Sequence, residues 1–125
     1  MTGNEMKDFV QRYFTALRRD KSEASLKEFI AEEPLLQHIA FFDAAFPGYW
    51  LEAEDMIADD DKVAVRFTFH GTHQAELMGI PPTGKTVSMD GIIIYRLADG
   101  KIVDHWMQTD TTSLMQQLGA MPATA

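Results

Sequence analysis

Apolar residues in the first part of the chain recur at helical spacing. Met6, Phe9, Val10, Tyr13, Phe14 and Leu17 form one stripe, with Lys7, Gln11, Arg12 and Arg18 off it. Ser25 and Glu28 read as a capping box for a short helix over 25–32. Pro34 suits the first turn of a third helix, with Leu35, Leu36, Ile39, Phe42 and Phe46 as its buried face and Pro47-Gly48 as its stop. From Tyr49 the period changes from helical to alternating. A strand is expected over 49–57, a turn at Asp59-Asp60-Asp61, and a second strand over 62–70, where Val63, Val65, Phe67 and Phe69 share one face. A β-rich run over 85–97 meets Asp99-Gly100, a two-residue hairpin turn. The return strand spans 101–110, and a short helix over 112–118 closes at Gly119. Helices first and antiparallel strands later predict one α+β domain over 1–125, with helices packed on one sheet face.

Composition narrows the function classes. The chain has 125 residues, enough to bury a core without disulfides or metal. It has no cysteine, which excludes a thiol nucleophile and thiolate metal sites and suits a reducing, cytoplasmic setting. A formal net charge of -8 repels phosphate backbones and anionic lipid, so neither nucleic acid nor membrane is an expected partner. No apolar run approaches the roughly eighteen residues of a membrane span, and the first residues do not read as a signal peptide.

Residues 79–86, GIPPTGKT, match the pattern of a phosphate-binding loop. Such a loop works through consecutive backbone N–H groups and a helix that starts at the Lys. Pro81 and Pro82 remove two of those donors, and the following VSMDGIIIYRL is strand-like. The stretch therefore reads as a proline-stiffened connection. Its apolar residues, Met78 among them, form a lip suited to covering an apolar pocket.

A tight turn at Asp99-Gly100 implies a register for the last hairpin. It sets Asp104 opposite Tyr95, Trp106 opposite Ile93, Gln108 opposite Gly91 and Asp110 opposite Met89, all on one face. His105, Met107, Ile92, Ile94 and Arg96 then share the other. A bulge would shift these pairings. If the first face lies under the helices, Asp110 is a partly desolvated base with Met89, Trp106 and Gln108 as neighbours. The alternative reading of Asp110 is the N-cap of the final helix. His105 is a candidate acid or base, or a half-buried strand residue. Tyr13, Phe14, Phe46, Trp50 and Trp106 belong to the core, with a subset lining a cavity. Tyr13, His73, His105 and Gln108 are candidate hydrogen-bond donors to a substrate. His70 and His73 fall on opposite faces of a regular strand, so no metal site is expected.

Several segments together resemble the SnoaL-like polyketide cyclase family. They are AFPGYWLEAEDMIADDDKVAVRFTFHGTH, ELMGIPPTGKTV, GKIVDHWMQTD and LMQQLG; the most specific are MGIPPTGK and the HWxxxD motif at His105, Trp106 and Asp110. The resemblance implies a cone-shaped α+β barrel, with N-terminal helices on a curved, mostly antiparallel sheet around an apolar pocket. That fold is shared with nuclear transport factor 2, ketosteroid isomerases and scytalone dehydratase. It also implies cofactor-independent intramolecular aldol ring closure of a small hydrophobic carbonyl compound, with Asp110 as general acid/base. Many relatives carry an acidic residue directly after the Trp, where this chain has Met107, and a histidine partner for Asp110 has to come from elsewhere, His73 or His38. Isomerisation, dehydration or epoxide hydrolysis in the same pocket, or non-catalytic binding, are the alternatives. Pairing through the outer sheet face, over Ile92, Ile94, Val103 and Met107, would make a homodimer.

Overall fold

A computed structural model describes residues 1–120 of the chain. Helix α1 (Gly3–Arg19) opens on a capping box that the sequence reading missed: the Thr2 hydroxyl accepts from the Glu5 N–H, and the Glu5 carboxylate accepts from the Thr2 N–H. The stripe from Met6 to Leu17 is buried as expected. Helix α2 (Glu23–Leu26) is shorter than expected and is capped by Ser22, not Ser25. Helix α3 (Glu33–Ala45) carries Pro34 in its first turn and buries Leu35 and Ile39.

Strands β1 (Trp50–Asp59), β2 (Lys62–Thr72), β3 (Thr86–Ala98) and β4 (Lys101–Thr109) form one antiparallel sheet in chain order. Helix α4 (Thr111–Gln117) follows, and Gly119 ends it in the left-handed region, at φ 79°. Asp99 and Gly100 both have positive φ, 52° and 75°, as a tight two-residue hairpin turn demands. The GIPPTGKT stretch contains no helix: residues 81–85 are irregular and lead directly into β3.

The last hairpin departs from the expected register. Ala98 pairs with Lys101 and Leu97 with Ile102, but Arg96 pairs with Asp104 and Tyr95 with His105. Val103 is left without a partner, a one-residue bulge. Because side chains alternate with period two, one extra residue inverts every position beyond it. His105, Met107 and Thr109 share the inner face with Tyr95, Ile93 and Gly91; Trp106 and Gln108 share the outer face with Ile94 and Ile92.

One further pairing matters for the site. The chain after α2 lies along β4, with Ile30 bridging Ile102 in parallel: Ile102 N–H donates to the Phe29 carbonyl and Ala31 N–H to that of Ile102, both at 2.8 Å. This contact carries Glu32 to the edge of β4. The core lies between the inner sheet face and helices α1 and α3. At Gly91 it is so tight that a Cβ would stand 2.6 Å from the Phe67 ring.

Gly91→Ala must therefore displace Phe67 or Thr109. We expect a loss of about 1–3 kcal/mol of stability, read as a lower urea midpoint at unchanged m-value.

Candidate active site

A hollow opens between the helices and the inner sheet face. Tyr13 lines it from α1, His38 and Phe42 from α3, Phe67 and Phe69 from β2, and Met89, Ile93 and Tyr95 from β3. Met107 and Thr109 line it from β4, placed there by the inverted register. About 50 Å³ is open to the centres of water molecules, room for about four waters. Its walls are mostly aromatic and aliphatic. A bound molecule would therefore be compact and apolar, or would move these side chains.

The polar groups of the lining are few. Tyr13 and Tyr95 are each 1% exposed, with rings edge-to-face at 5.8 Å. The two hydroxyls lie within hydrogen-bonding reach of each other, and either can be the donor. Burial holds both phenols well above their usual ionisation range; the charge of Tyr49 and the Glu32 carboxylate push both the same way, Tyr95 adds to the rise at Tyr13, and the hydrogen bond with Tyr13 lowers Tyr95. Tyr49 is raised too, by burial and then by Asp43. These three phenols stay protonated and can only be donors or neutral acceptors.

His38 is the imidazole of the lining. Its ring packs on Phe42 at 4.8 Å. Burial, and then the charge of His105, hold it below the usual histidine value of 6.5. It is therefore a neutral imidazole at pH 7, able to accept a proton. No carboxylate lines the cavity among the described residues.

His105 stands on the inner face beside Tyr95. Its Nδ1 pairs with a carboxylate oxygen of Glu32, a residue that precedes α3 and is 73 positions away in the chain. The side chains are 16% and 10% exposed. The other carboxylate oxygen, Glu32 Oε2, is buried without a hydrogen-bond partner.

The site residues expected from the sequence are scattered by this geometry. Tyr13 and Met89 line the hollow, and His105 is outside the lining, paired with Tyr95 in the sheet. Phe14 and Phe46 are buried core residues outside the lining. Trp50 lies on the opposite face, stacked on His70 at 4.2 Å under the Arg18 guanidinium at 3.9 Å. Met78 is 61% exposed. Trp106, 48% exposed, and Gln108 point outward because of the bulge, so the expected Trp106–Ile93 and Gln108–Gly91 pairs do not form. Val103 sits in that bulge, and Met107 turns inward, so the outer apolar patch holds Trp106 in place of Met107 beside Ile92 and Ile94.

Asp110 does not face Met89. It is exposed, and its carboxylate accepts from the Ser113 N–H at 3.0 Å as the N-cap of α4. His73 is fully buried, yet it anchors the GIPPTGK loop instead of lining the cavity. Its Nδ1 accepts from the Thr83 N–H at 3.2 Å, and its backbone bonds to Gly84 and Lys85. The cavity phenol Tyr95, the cavity imidazole His38 and the buried Glu32 were not among the expected site residues. Only His38 carried a signal, as a possible partner for a catalytic acid.

A family model for SnoaL-like polyketide cyclases matches residues 6–118. The chain belongs to that family. The aklanonic acid methyl ester cyclase DauD of Streptomyces sp. (strain C5) is 31% identical over 94 residues, 75% of this chain and 49% of that protein. The nogalonic acid methyl ester cyclase of Streptomyces nogalater is 35% identical over 57 residues, 46% of this chain and 42% of that one. The chain thus spans about half the length of curated relatives it matches. Among solved structures, AclR of Streptomyces galilaeus, for which a hydroxylase function has been suggested, superposes with a TM-score of 0.85 at 28% identity, covering 99% of this chain and 87% of AclR. IdmH of Streptomyces antibioticus superposes at 0.76 with 28% identity, covering 90% and 97%. These SnoaL-like neighbours share the cone-shaped α+β architecture described above.

Position 107 faces the hollow, and this chain puts a thioether there. The low proton affinity of His38 also couples to folding. The unfolded chain binds this proton near pH 6.5 and the folded chain only below it, so the contribution is intact above that pH and lost as pH falls. His38→Gln removes this share. Between about pH 7.5 and about pH 5.5 the variant should lose less stability than the wild type, measured as urea midpoints.

Proposed function

We propose that this chain is a polyketide-cyclase-type enzyme that closes a ring in a compact, mostly apolar carbonyl compound. One observation carries the reading: an apolar hollow whose lining pairs a neutral imidazole, His38, with phenols held protonated by burial. That combination suits enolate chemistry. His38 takes a proton from the carbon next to a carbonyl. The Tyr95 hydroxyl, polarised by Tyr13, donates to the oxygen on which charge develops. The enolate carbon bonds to a second carbonyl carbon of the same molecule, and the new alkoxide takes the proton back from His38. One C–H and one C=O become one C–C and one O–H, with no redox partner and no cofactor. The similarity to an aklanonic acid methyl ester cyclase and a nogalonic acid methyl ester cyclase supports the reaction class.

The assignment of the base to His38 replaces the one that the HWxxxD resemblance implies for Asp110, because Asp110 caps a helix outside the hollow. Pairing through the outer sheet face remains part of the proposal, with Trp106, Ile92 and Ile94 as the apolar contact.

The test uses a panel of simple aliphatic and aryl diketones, with products read by mass and NMR. We expect at least one cyclic product of unchanged mass. His38→Gln should lower kcat by about 10²-fold or more with the fold retained. Asp110→Asn should stay active, since Asn caps a helix as well as Asp. An inactive Asp110→Asn beside an active His38→Gln returns the base to Asp110. A product that gains one oxygen assigns the pocket to oxidation, and binding without turnover assigns it to ligand carriage.

A further inference from the structure

The hollow offers about 50 Å³ to the centres of water molecules. A compound with even one ring needs more: an apolar cavity that takes benzene has about 150 Å³. Some part of the wall must therefore move before a ring can enter. Most of the wall is fixed. Phe67 lies against Gly91, where a Cβ would stand 2.6 Å from its ring. Phe69 is held by the rings of Phe46 at 5.2 Å and Tyr49 at 5.0 Å. Tyr13 and Tyr95 meet edge-to-face at 5.8 Å. Ile39 and Ile93 are buried and branched at Cβ, which leaves little rotamer freedom. Met89 has a flexible side chain, but it is 5% exposed and sits on β3, with a strand on either side.

The half-buried lining residues mark the rim. They are His38 and Phe42, one turn apart on α3, Met107 and Thr109, alternate residues on β4, and Leu51 on β1. Helix α1 packs against β1 and covers the Leu51 side. Strand β4 is the other edge of the sheet. The chain after α2 pairs with it at Ile102 and then enters α3. From the Val103 bulge onward, that edge has no strand beside it among the described residues. The hollow therefore opens between α3 and β4, and Met107 stands in the opening. Its side chain packs on the core and is also partly exposed, so it has solvent to move into. It is unbranched, with three rotatable bonds.

We infer that Met107 is the gate and size selector of the hollow: its side chain closes the slot between α3 and β4, and swings outward to admit an aryl carbonyl compound of one ring while excluding two fused rings. The thioether takes no part in proton transfer; it acts through shape and mobility. A stiffer side chain of similar volume at position 107 slows entry, and a smaller one widens the slot. The inference rests on the hollow being the substrate site of the proposed cyclase.

The probes are acetophenone and 2-acetonaphthone, one ring and two. Each has a single carbonyl and cannot close a ring on itself, so binding is read without turnover. Dissociation constants and association rates come from NMR titrations and line shapes of the full chain, as wild type, Met107→Ala, Met107→Ile and Met89→Ala, with amide spectra reporting the fold. We expect the wild type to prefer acetophenone. Met107→Ala should bind 2-acetonaphthone at least roughly tenfold more tightly than the wild type does. Met107→Ile, close in volume but stiff at χ1, should take up acetophenone about two- to fivefold more slowly, through the rotamer freedom lost at the gate. Met89→Ala enlarges the hollow at a buried wall and should leave association rates at the wild-type level. The inference is overturned if acetophenone does not bind the wild type, or if 2-acetonaphthone binds the wild type and Met107→Ala alike. It is equally overturned if Met107→Ile takes up acetophenone at the wild-type rate, or if Met89→Ala speeds entry as much as Met107→Ala. If Met107→Ala does not fold, Met107→Ile decides. Loss of the inference leaves the cyclase reading standing, since that reading falls only with the diketone assay.

Discussion

The molecule's chemistry depends on one unpaired residue. Val103 is skipped in the pairing of β3 with β4, and the rest of β4 is inverted with respect to a regular hairpin. Without that step Trp106 and Gln108 would face the helices, and His105 would face away. With it, a histidine, a methionine and a threonine enter the inner face. The parallel contact of Ile30 with Ile102 lies directly beside the bulge, so the segment leading into α3 and the inverted strand are brought together at the same place. The Glu32–His105 pair is the product of these two backbone features.

Burial then does the electrostatic tuning. The residues that make the core also make the cavity, so each polar group there is judged against a low-dielectric surround. Phenols respond by staying protonated. An isolated imidazole, His38, responds by staying neutral. The Glu32 side chain, also largely out of water, is met by the His105 ring. Phe67 lies against the bare backbone of Gly91, where a side chain enters only if a neighbour shifts.

Much of the fold was legible before any coordinates. The helical stripe of α1, the start of α3 at Pro34, the alternation of β2 and the Asp99-Gly100 turn all express local rules, and each appears where those rules put it. Misses at the local level were small, such as Ser22 in place of Ser25 as the cap of α2. The motifs MGIPPTGK and HWxxxD pointed to the family that the match over 6–118 shows. The site was far less legible. Residue chemistry favoured Asp110 as a cap and the family resemblance favoured it as a base; its side chain lies on the backbone of α4. Glu32 carried no signal, being one acid among many on an acidic chain.

What the sequence determined by itself was therefore the kind and order of elements, the turns and the family, because periodicity, turn chemistry and motif are properties of neighbouring residues. What only the tertiary structure decided was which face of β4 looks inward and which distant residues meet. A strand's two faces are equivalent until its partner sets the register, and one bulged residue exchanges them. Glu32 and His105 stand 73 positions apart, and only the packing of the α2–α3 link against the sheet brings them into contact.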